Sequence, residues 1–283
     1  MVVPGKIACD GFTFIEGPRW YCGALWFSDF YDEAVFRLRP GSVAEPVVSI
    51  PQRPSGLGWL PNGDLLIASM LDKTVYRYAG NGELACHADV SKVAERRIND
   101  MLVDPKGRAW VGNFGFDLPE GDPVAPGTLA RVDPDGSVHA AAGDLLFANG
   151  MALLAKGHTL VVAETFRGCL TAFDISPTAE LYNRRVWAQL PEGAVPDGIC
   201  VDAEGAIWVA SPTTGTVLRL AEGGAILDVI DTGRQAIACA LGGQDGRTLF
   251  VSTAVATDRE TCLAARSARI EAYAVAVPGA VAD

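Results

Sequence analysis

Along the chain, short runs of apolar residues alternate with turns rich in Gly, Pro, Asn and Asp, and the alternation itself repeats. Each unit opens on a small or polar residue followed by an apolar run, crosses a glycine-containing turn and enters a second, more strongly apolar run. The first three units read Glu16-Gly-Pro-Arg-Trp with Ala24-Leu-Trp-Phe, Ser55-Gly-Leu-Gly-Trp with Asp64-Leu-Leu-Ile, and Asn99-Asp-Met-Leu-Val with Arg108-Ala-Trp-Val. The later three are Asn149-Gly-Met-Ala-Leu with His158-Thr-Leu-Val, Asp197-Gly-Ile-Cys-Val with Ala206-Ile-Trp-Val, and Ala238-Cys-Ala-Leu-Gly with Arg247-Thr-Leu-Phe. Their turn glycines, Gly23, Gly63, Gly107, Gly157, Gly205 and Gly246, are spaced by 40, 44, 50, 48 and 41 residues. A third apolar run follows in every unit (Ala34–Leu38, Thr74–Tyr78, Thr128–Val132, Cys169–Phe173, Thr216–Leu220, Arg269–Tyr273), and usually a weaker fourth. Short runs rich in β-branched and aromatic residues between turn signals predict strands, and four strands per period of this length predict a propeller blade. A helical solenoid of similar period is disfavoured by the Val, Trp, Tyr and Phe content of the runs.

The sixth unit ends near Val275 without an outer strand, whereas Lys6-Ile-Ala-Cys9 precedes the first unit with nothing to pair with. The N-terminal strand is therefore predicted to close the last blade and cover the free sheet edges that invite aggregation. The expected architecture is all-β: a six-bladed β-propeller of four-stranded blades, with residues 1–283 forming one domain.

Composition narrows the partners. The 283 residues are 49% hydrophobic, and Lys+Arg 23 against Asp+Glu 34 leaves a net charge of −11. An acidic chain without a basic cluster repels phosphate backbones and anionic lipid surfaces, which argues against nucleic-acid or membrane partners and against a polyanionic substrate. No window reaches the roughly 20 apolar residues of a membrane span, and no basic stretch with an apolar run opens the chain, so a cytoplasmic location is expected. The seven cysteines (Cys9, Cys22, Cys86, Cys169, Cys200, Cys239, Cys262) are odd in number and lack a Cys-x-x-Cys pair, which predicts reduced, buried thiols. A closed propeller needs no partner for stability, and a monomer or a small homo-oligomer fits equally.

The repeat register points at a site. Eight residues before the turn glycine stand Ser55, Asn99, Asn149, Asp197 and Ala238, and seven before Gly23, in a shorter turn, stands Glu16. In a propeller these equivalent positions converge at one mouth of the central channel. Asn and Asp also favour loops for local reasons, but acids and amides at one repeat position call for a shared cause. Confined carboxylates repel, and a divalent cation relieves that repulsion. Glu16, Asn149 and Asp197 form an oxygen-only set with two negative charges, which favours Ca²⁺, with Mg²⁺, Mn²⁺, Zn²⁺ and Fe²⁺ as alternatives. Zinc is less expected because His87, His139 and His158 lie in outer strands or turns without metal-ligand spacing. There is no Gly-x-Ser-x-Gly elbow, phosphate loop or dinucleotide fingerprint.

Together, Glu16-Gly-Pro-Arg-Trp20, Arg97-Ile-Asn-Asp100 with Val103-Asp-Pro-Lys-Gly107, Phe147-Ala-Asn-Gly-Met151 and Pro196-Asp-Gly-Ile-Cys-Val-Asp-Ala-Glu-Gly205 resemble the SMP-30/gluconolactonase/LRE-like family of six-bladed propellers. The resemblance covers nearly the whole chain. It implies that Glu16, Asn149 and Asp197 are metal ligands, that Arg97 and Asn99 lie beside the substrate, and that Asp197 is the general base. The implied activity is opening of a small-molecule lactone by metal-activated water, with Arg97 gripping ring oxygens or the product carboxylate. Sugar-lactone members of the family tend to be polar where this chain has the long loop 113–127, which instead carries Phe114, Phe116 and Leu118, with Asp117 as its polar contact. Phe147, Met151, Phe166 and Trp59 are read as lying near the same face, so a less polar lactone is expected. Other electrophiles, an organophosphate ester or a cyclic diketone, and a non-catalytic calcium-binding scaffold are the alternatives.

Overall fold

The structure is a computed structural model that describes residues 5–80, 82–117 and 120–280. Each sequence unit folds into one four-stranded antiparallel sheet, and there are six such sheets among the described residues. The first strand of each unit is innermost: Ile15–Tyr21, Pro54–Trp59, Ile98–Val103, Ala148–Leu154, Ile199–Val201 and Gln235–Gly242. These six strands contact one another in sequence, and the first meets the last, so the ring is closed. The strand Lys6–Phe12 pairs antiparallel with Ala268–Ala274, Lys6 facing Ala272 and Phe12 facing Ala268, and so completes the sixth blade. The all-β propeller with N-terminal closure is thus borne out.

Local chemistry explains the strand ends. In blade 1, Tyr21 pairs with Ala24, and the two residues between them, Cys22 and Gly23, have φ of 47° and 73°. Both positive values match the tight hairpin whose twist suits adjoining strands. At the longer turns an aspartate organises the loop: Asp104 Oδ1 accepts from the Lys106 and Arg108 amides at 2.9 and 3.1 Å, and Asp202 Oδ1 from those of Glu204 and Ala206 at 2.9 and 3.0 Å. The repeated Asp-x-x-Gly is therefore turn chemistry at the end of the channel opposite the ring residues.

Between blades, facing sheets bury Val161, Leu170, Trp187, Ile207 and Val209 in one interface and Leu66, Val75, Ile98, Met101 and Val111 in another. Burial of one such side chain contributes roughly 1.5–3 kcal/mol. Two expectations are corrected here. Met151 packs with Trp110, Leu160 and Val162 between blades rather than at the mouth. Trp59 ends its inner strand on the side away from the mouth, stacked on Tyr21 with ring centroids 4.1 Å apart. All seven cysteines are free, but only Cys169, Cys239 and Cys262 are buried, while Cys22 and Cys86 are exposed, contrary to the expectation of uniform burial. No helix among the described residues is long and apolar enough to cross a membrane.

Candidate metal centre and channel mouth

Glu16, Ser55, Asn99, Asn149, Asp197 and Ala238 are all buried at the start of the inner strands. The ring is tight because Gly17, Gly56, Gly150 and Gly198 follow the ring residue in four of its positions. A Cβ on Gly150 would stand 2.5 Å from the Ile199 amide nitrogen, and one on Gly56 2.1 Å from that of Met101. Any side chain there would push neighbouring blades apart. Blade 3 breaks the pattern with Asp100. Its carboxylate accepts two hydrogen bonds from Arg19, at 2.8 and 3.0 Å, and Arg19 also donates to the Met101 carbonyl at 2.9 Å. A carboxylate inside the channel is thereby neutralised by an arginine from blade 1.

Glu16 and Asp197 have no such partner. Burial holds the Glu16 carboxyl well above its ordinary range, the Asp197 and then the Asp100 charge add to the rise, and the Gly17 amide and Arg19 oppose it. Burial likewise pushes Asp197 up to about 8; the Asn149 amide bonded to it lowers the value and the Asp100 charge raises it. Asp197 Oδ1 is buried without a hydrogen-bond partner. The Asn149 amide is oriented by Thr165: its Nδ2 donates to Thr165 Oγ1 at 3.2 Å, while the Thr165 hydroxyl donates to the Pro196 carbonyl at 2.9 Å. With Nδ2 turned to Thr165, Asn149 has its carbonyl oxygen left to offer. Glu164 fixes that turn, its carboxylate taking Thr171 Oγ1 at 2.5 Å, Arg167 Nε at 2.7 Å and the Leu146 amide at 2.9 Å.

Two repelling carboxylates, an orphaned carboxylate oxygen and an available carboxamide oxygen fit a hard divalent cation. No group of three or more His, Cys, Asp or Glu side chains disposed to hold a metal occurs among the described residues. The oxygen donors that could hold such a cation are two carboxylates and a carboxamide, which would leave the remaining positions to water or substrate. Ser55 Oγ is also buried and unpartnered. Removing it in Ser55→Ala is expected to change unfolding free energy by less than about 1 kcal/mol, since no bond is broken. Calorimetric cation titration should be unaltered; loss of the cation would place Ser55 in the ligand set.

On the side of the ring from which the inner strands start, Phe14, Phe30, Met70, Phe114, Phe147 and Ile237 pack into one buried hydrophobic cluster. Phe114 lies 4.0 Å from Phe147 between centroids, and Phe147 lies 5.4 Å from the half-exposed Phe166. Phe116 is only 1% exposed and backs Phe147 and Phe166 rather than presenting a face of its own. Arg97 forms an ion pair with Asp117 of the long loop at 3.0 Å, and both side chains are partly exposed. Asn99 lies buried on the inner strand of the same blade. Leu118 lies outside the described residues. Sequence reasoning missed Arg19, Asp100, Thr165 and Arg53. Arg53 had a visible signal: it precedes Ser55 by two residues, as Arg97 precedes Asn99.

The sequence profile of the SMP-30/Gluconolactonase/LRE-like region matches residues 14–255. The 6-deoxy-6-sulfogluconolactonase of Pseudomonas putida is 28% identical over 234 residues, covering 81% of this chain and 78% of that protein. The structure of a Xanthomonas campestris gluconolactonase superposes with a TM-score of 0.76 at 25% identity, covering 97% of this chain and 89% of the other. That of the calcium-binding protein regucalcin from Agrobacterium tumefaciens superposes at 0.81 with 23% identity, covering 98% and 95%. Lactone hydrolysis is thus the activity named among these relatives. With the profile spanning all six inner strands, the chain belongs to the SMP-30/gluconolactonase/LRE-like family.

Proposed function

We propose that this protein is a divalent-cation-dependent lactonase whose cation, Ca²⁺ first, is held by Glu16, Asn149 and Asp197. The observation that carries the reading is the pair of buried, mutually repelling carboxylates, one with an oxygen that nothing bonds. When bound, the cation would polarise the ester carbonyl and lower the pKa of water at the site. Asp197 takes the proton from the attacking water and returns it to the ring oxygen as the acyl–oxygen bond breaks. The product is a hydroxy acid, which ionises to a carboxylate and one released proton. Arg97, steadied by Asp117, grips the ring oxygens or the new carboxylate through its donor fork. The Asn99 amide orients the substrate from the same blade. Phe114 and Phe147, which flank Arg97, exclude water from the site.

The names of the lactonase relatives support the reaction class, and the calcium-binding regucalcin supports the choice of ion. Seven free thiols fit work in the reducing cytoplasm. Because the wall is phenylalanine rather than hydroxyl or amide, the preferred ring is less polar than a sugar lactone. Proton release measured near neutral pH should rank alkyl or aryl lactones above polyhydroxylated ones in kcat/KM. Arg97→Ala should raise KM roughly tenfold or more while the cation is retained. A preference for polyhydroxylated lactones would overturn the apolar-ring reading.

A further inference from the structure

Two residues before each ring position stands a second layer of six, running through blades 1 to 6 as Phe14, Arg53, Arg97, Phe147, Val195 and Ala236. Its two cations are on adjacent blades, with a phenylalanine on each side. The equivalence extends to the backbone, since Arg53 and Phe147 share the left-handed conformation with φ of 65° and 62°. Arg97 is matched by Asp117, and the neighbouring Arg96 by Asp122 at 3.2 Å. Arg53 is different. Its guanidinium lies 5.3 Å from the centre of the Tyr31 ring, and no hydrogen bond or ion pair to a carboxylate is found for it among the described residues.

Tyr31 is itself fixed, donating its hydroxyl to the Thr257 carbonyl at 2.8 Å and packing against the mouth's phenylalanine cluster. The charge is therefore held in place rather than left to wander. Half-burial makes the position costly for a cation: burial holds the Arg53 pKa below its ordinary value, Tyr31 opposes it more than the Arg97 or the Arg259 charge adds to it, and Glu33 gives the smallest help. In a chain of net charge −11, a partly desolvated arginine with donors unspent, held over a tyrosine ring beside a phenylalanine cluster, is a ready anion receptor.

We infer that Arg53 is a specificity-determining residue that binds a carboxylate carried by the substrate, so that the preferred lactone is an apolar ring bearing an anionic substituent. The inference rests on the lactonase reading for the ring but not for the anion. Arg97 and Arg53 then have separate tasks, the first at the ester being opened and the second at the substituent that stays intact. The phenylalanines on either side cover the carbon skeleton between them.

The test separates binding from turnover. Cyclopentanecarboxylate and its neutral carboxamide, neither of which contains an ester, are titrated calorimetrically into the Ca²⁺-loaded wild type, Arg53→Gln and Arg53→Lys proteins. The carboxylate is expected to bind roughly ten- to hundredfold more tightly to wild type, the range for a hydrogen-bonded charge. Arg53→Gln should abolish this preference and Arg53→Lys should keep part of it. Equal binding of the two probes by wild type, a preference that survives in Arg53→Gln, or equal loss in both variants would overturn the inference. In parallel, the wild-type ratio of kcat/KM for 5-oxotetrahydrofuran-2-carboxylate over its carboxamide should fall at least tenfold in Arg53→Gln, and an unchanged ratio would also overturn it. If neither lactone is opened by any of the proteins while the binding preference behaves as expected, the lactonase reading fails and the anion site stands.

Discussion

Asp197→Asn is expected to lower lactone ring opening by roughly 10²–10⁴-fold, the usual contribution of a positioned general base, and further to weaken the cation. The substitution preserves shape, so the Ala210 carbonyl continues to receive the residue 197 amide at 2.9 Å and the inner ring stays closed. What disappears is a buried carboxyl that faces Glu16 and has an unpartnered oxygen. Its removal should raise the unfolding temperature of the cation-free protein near neutral pH while activity is lost, because the native state no longer has to keep a proton on a second buried carboxyl. A fold that merely collapsed would lose both together. Kinetics combined with thermal unfolding therefore separates the proposed role from structural damage. Undiminished turnover in Asp197→Asn would contradict the assignment of the base.

The second large effect is the coupling of pH, cation and stability. In cation-free protein, folding holds the Asp197 carboxyl at about 8, far above its ordinary 3.8, and Glu16 is raised in the same direction. Between those values the native state binds a proton that the unfolded chain has released, so stability is fully present only below the ordinary 3.8 and declines as pH rises toward 8. Each such group contributes a slope of up to about 1.4 kcal/mol per pH unit. A divalent cation replaces the protons and should flatten or reverse the slope. The expected result is a stripped protein that unfolds at lower temperature at pH 8 than at pH 5.5, with Ca²⁺ restoring most of the difference. At pH 7, calorimetry in buffers of differing ionisation enthalpy should show proton release as the cation binds. Stripped protein that gains stability from pH 5.5 to 8 would show that Glu16 and Asp197 are not the strained pair described.

The parts of this account that were legible in the sequence are those that repeat. Blade number, inner strands and N-terminal closure followed from a period marked six times by a turn glycine, and the ring followed from one register position carrying Glu16, Asn149 and Asp197. Contacts between non-equivalent places left no such mark. Arg19 reaches Asp100 across 81 residues, and Thr165 joins Asn149 to the Pro196 carbonyl from the end of a second strand. Neither pairing has a spacing rule behind it. Met151 and Trp59 were misplaced because nearness in sequence to a ring residue does not fix which end or which face of a strand a side chain occupies. Met151 turned into the interface with Trp110, and Trp59 lay at the far end of its strand. Cys22 is exposed because the tight hairpin holds it at a turn tip, a position that its apolar character does not disclose.

The central claim is that Glu16, Asn149 and Asp197 hold a cation on which lactone opening depends. Proton release near neutral pH, from chelator-treated protein offered alkyl, aryl and sugar lactones with Ca²⁺, Mg²⁺, Mn²⁺, Zn²⁺ or Fe²⁺ added back singly, tests it most directly. Treated protein is expected to show no ring opening above background, and a divalent cation, Ca²⁺ first, to restore it for at least one class of lactone. Full turnover in treated protein, or none with any ion although calorimetry shows that ion bound, would contradict it.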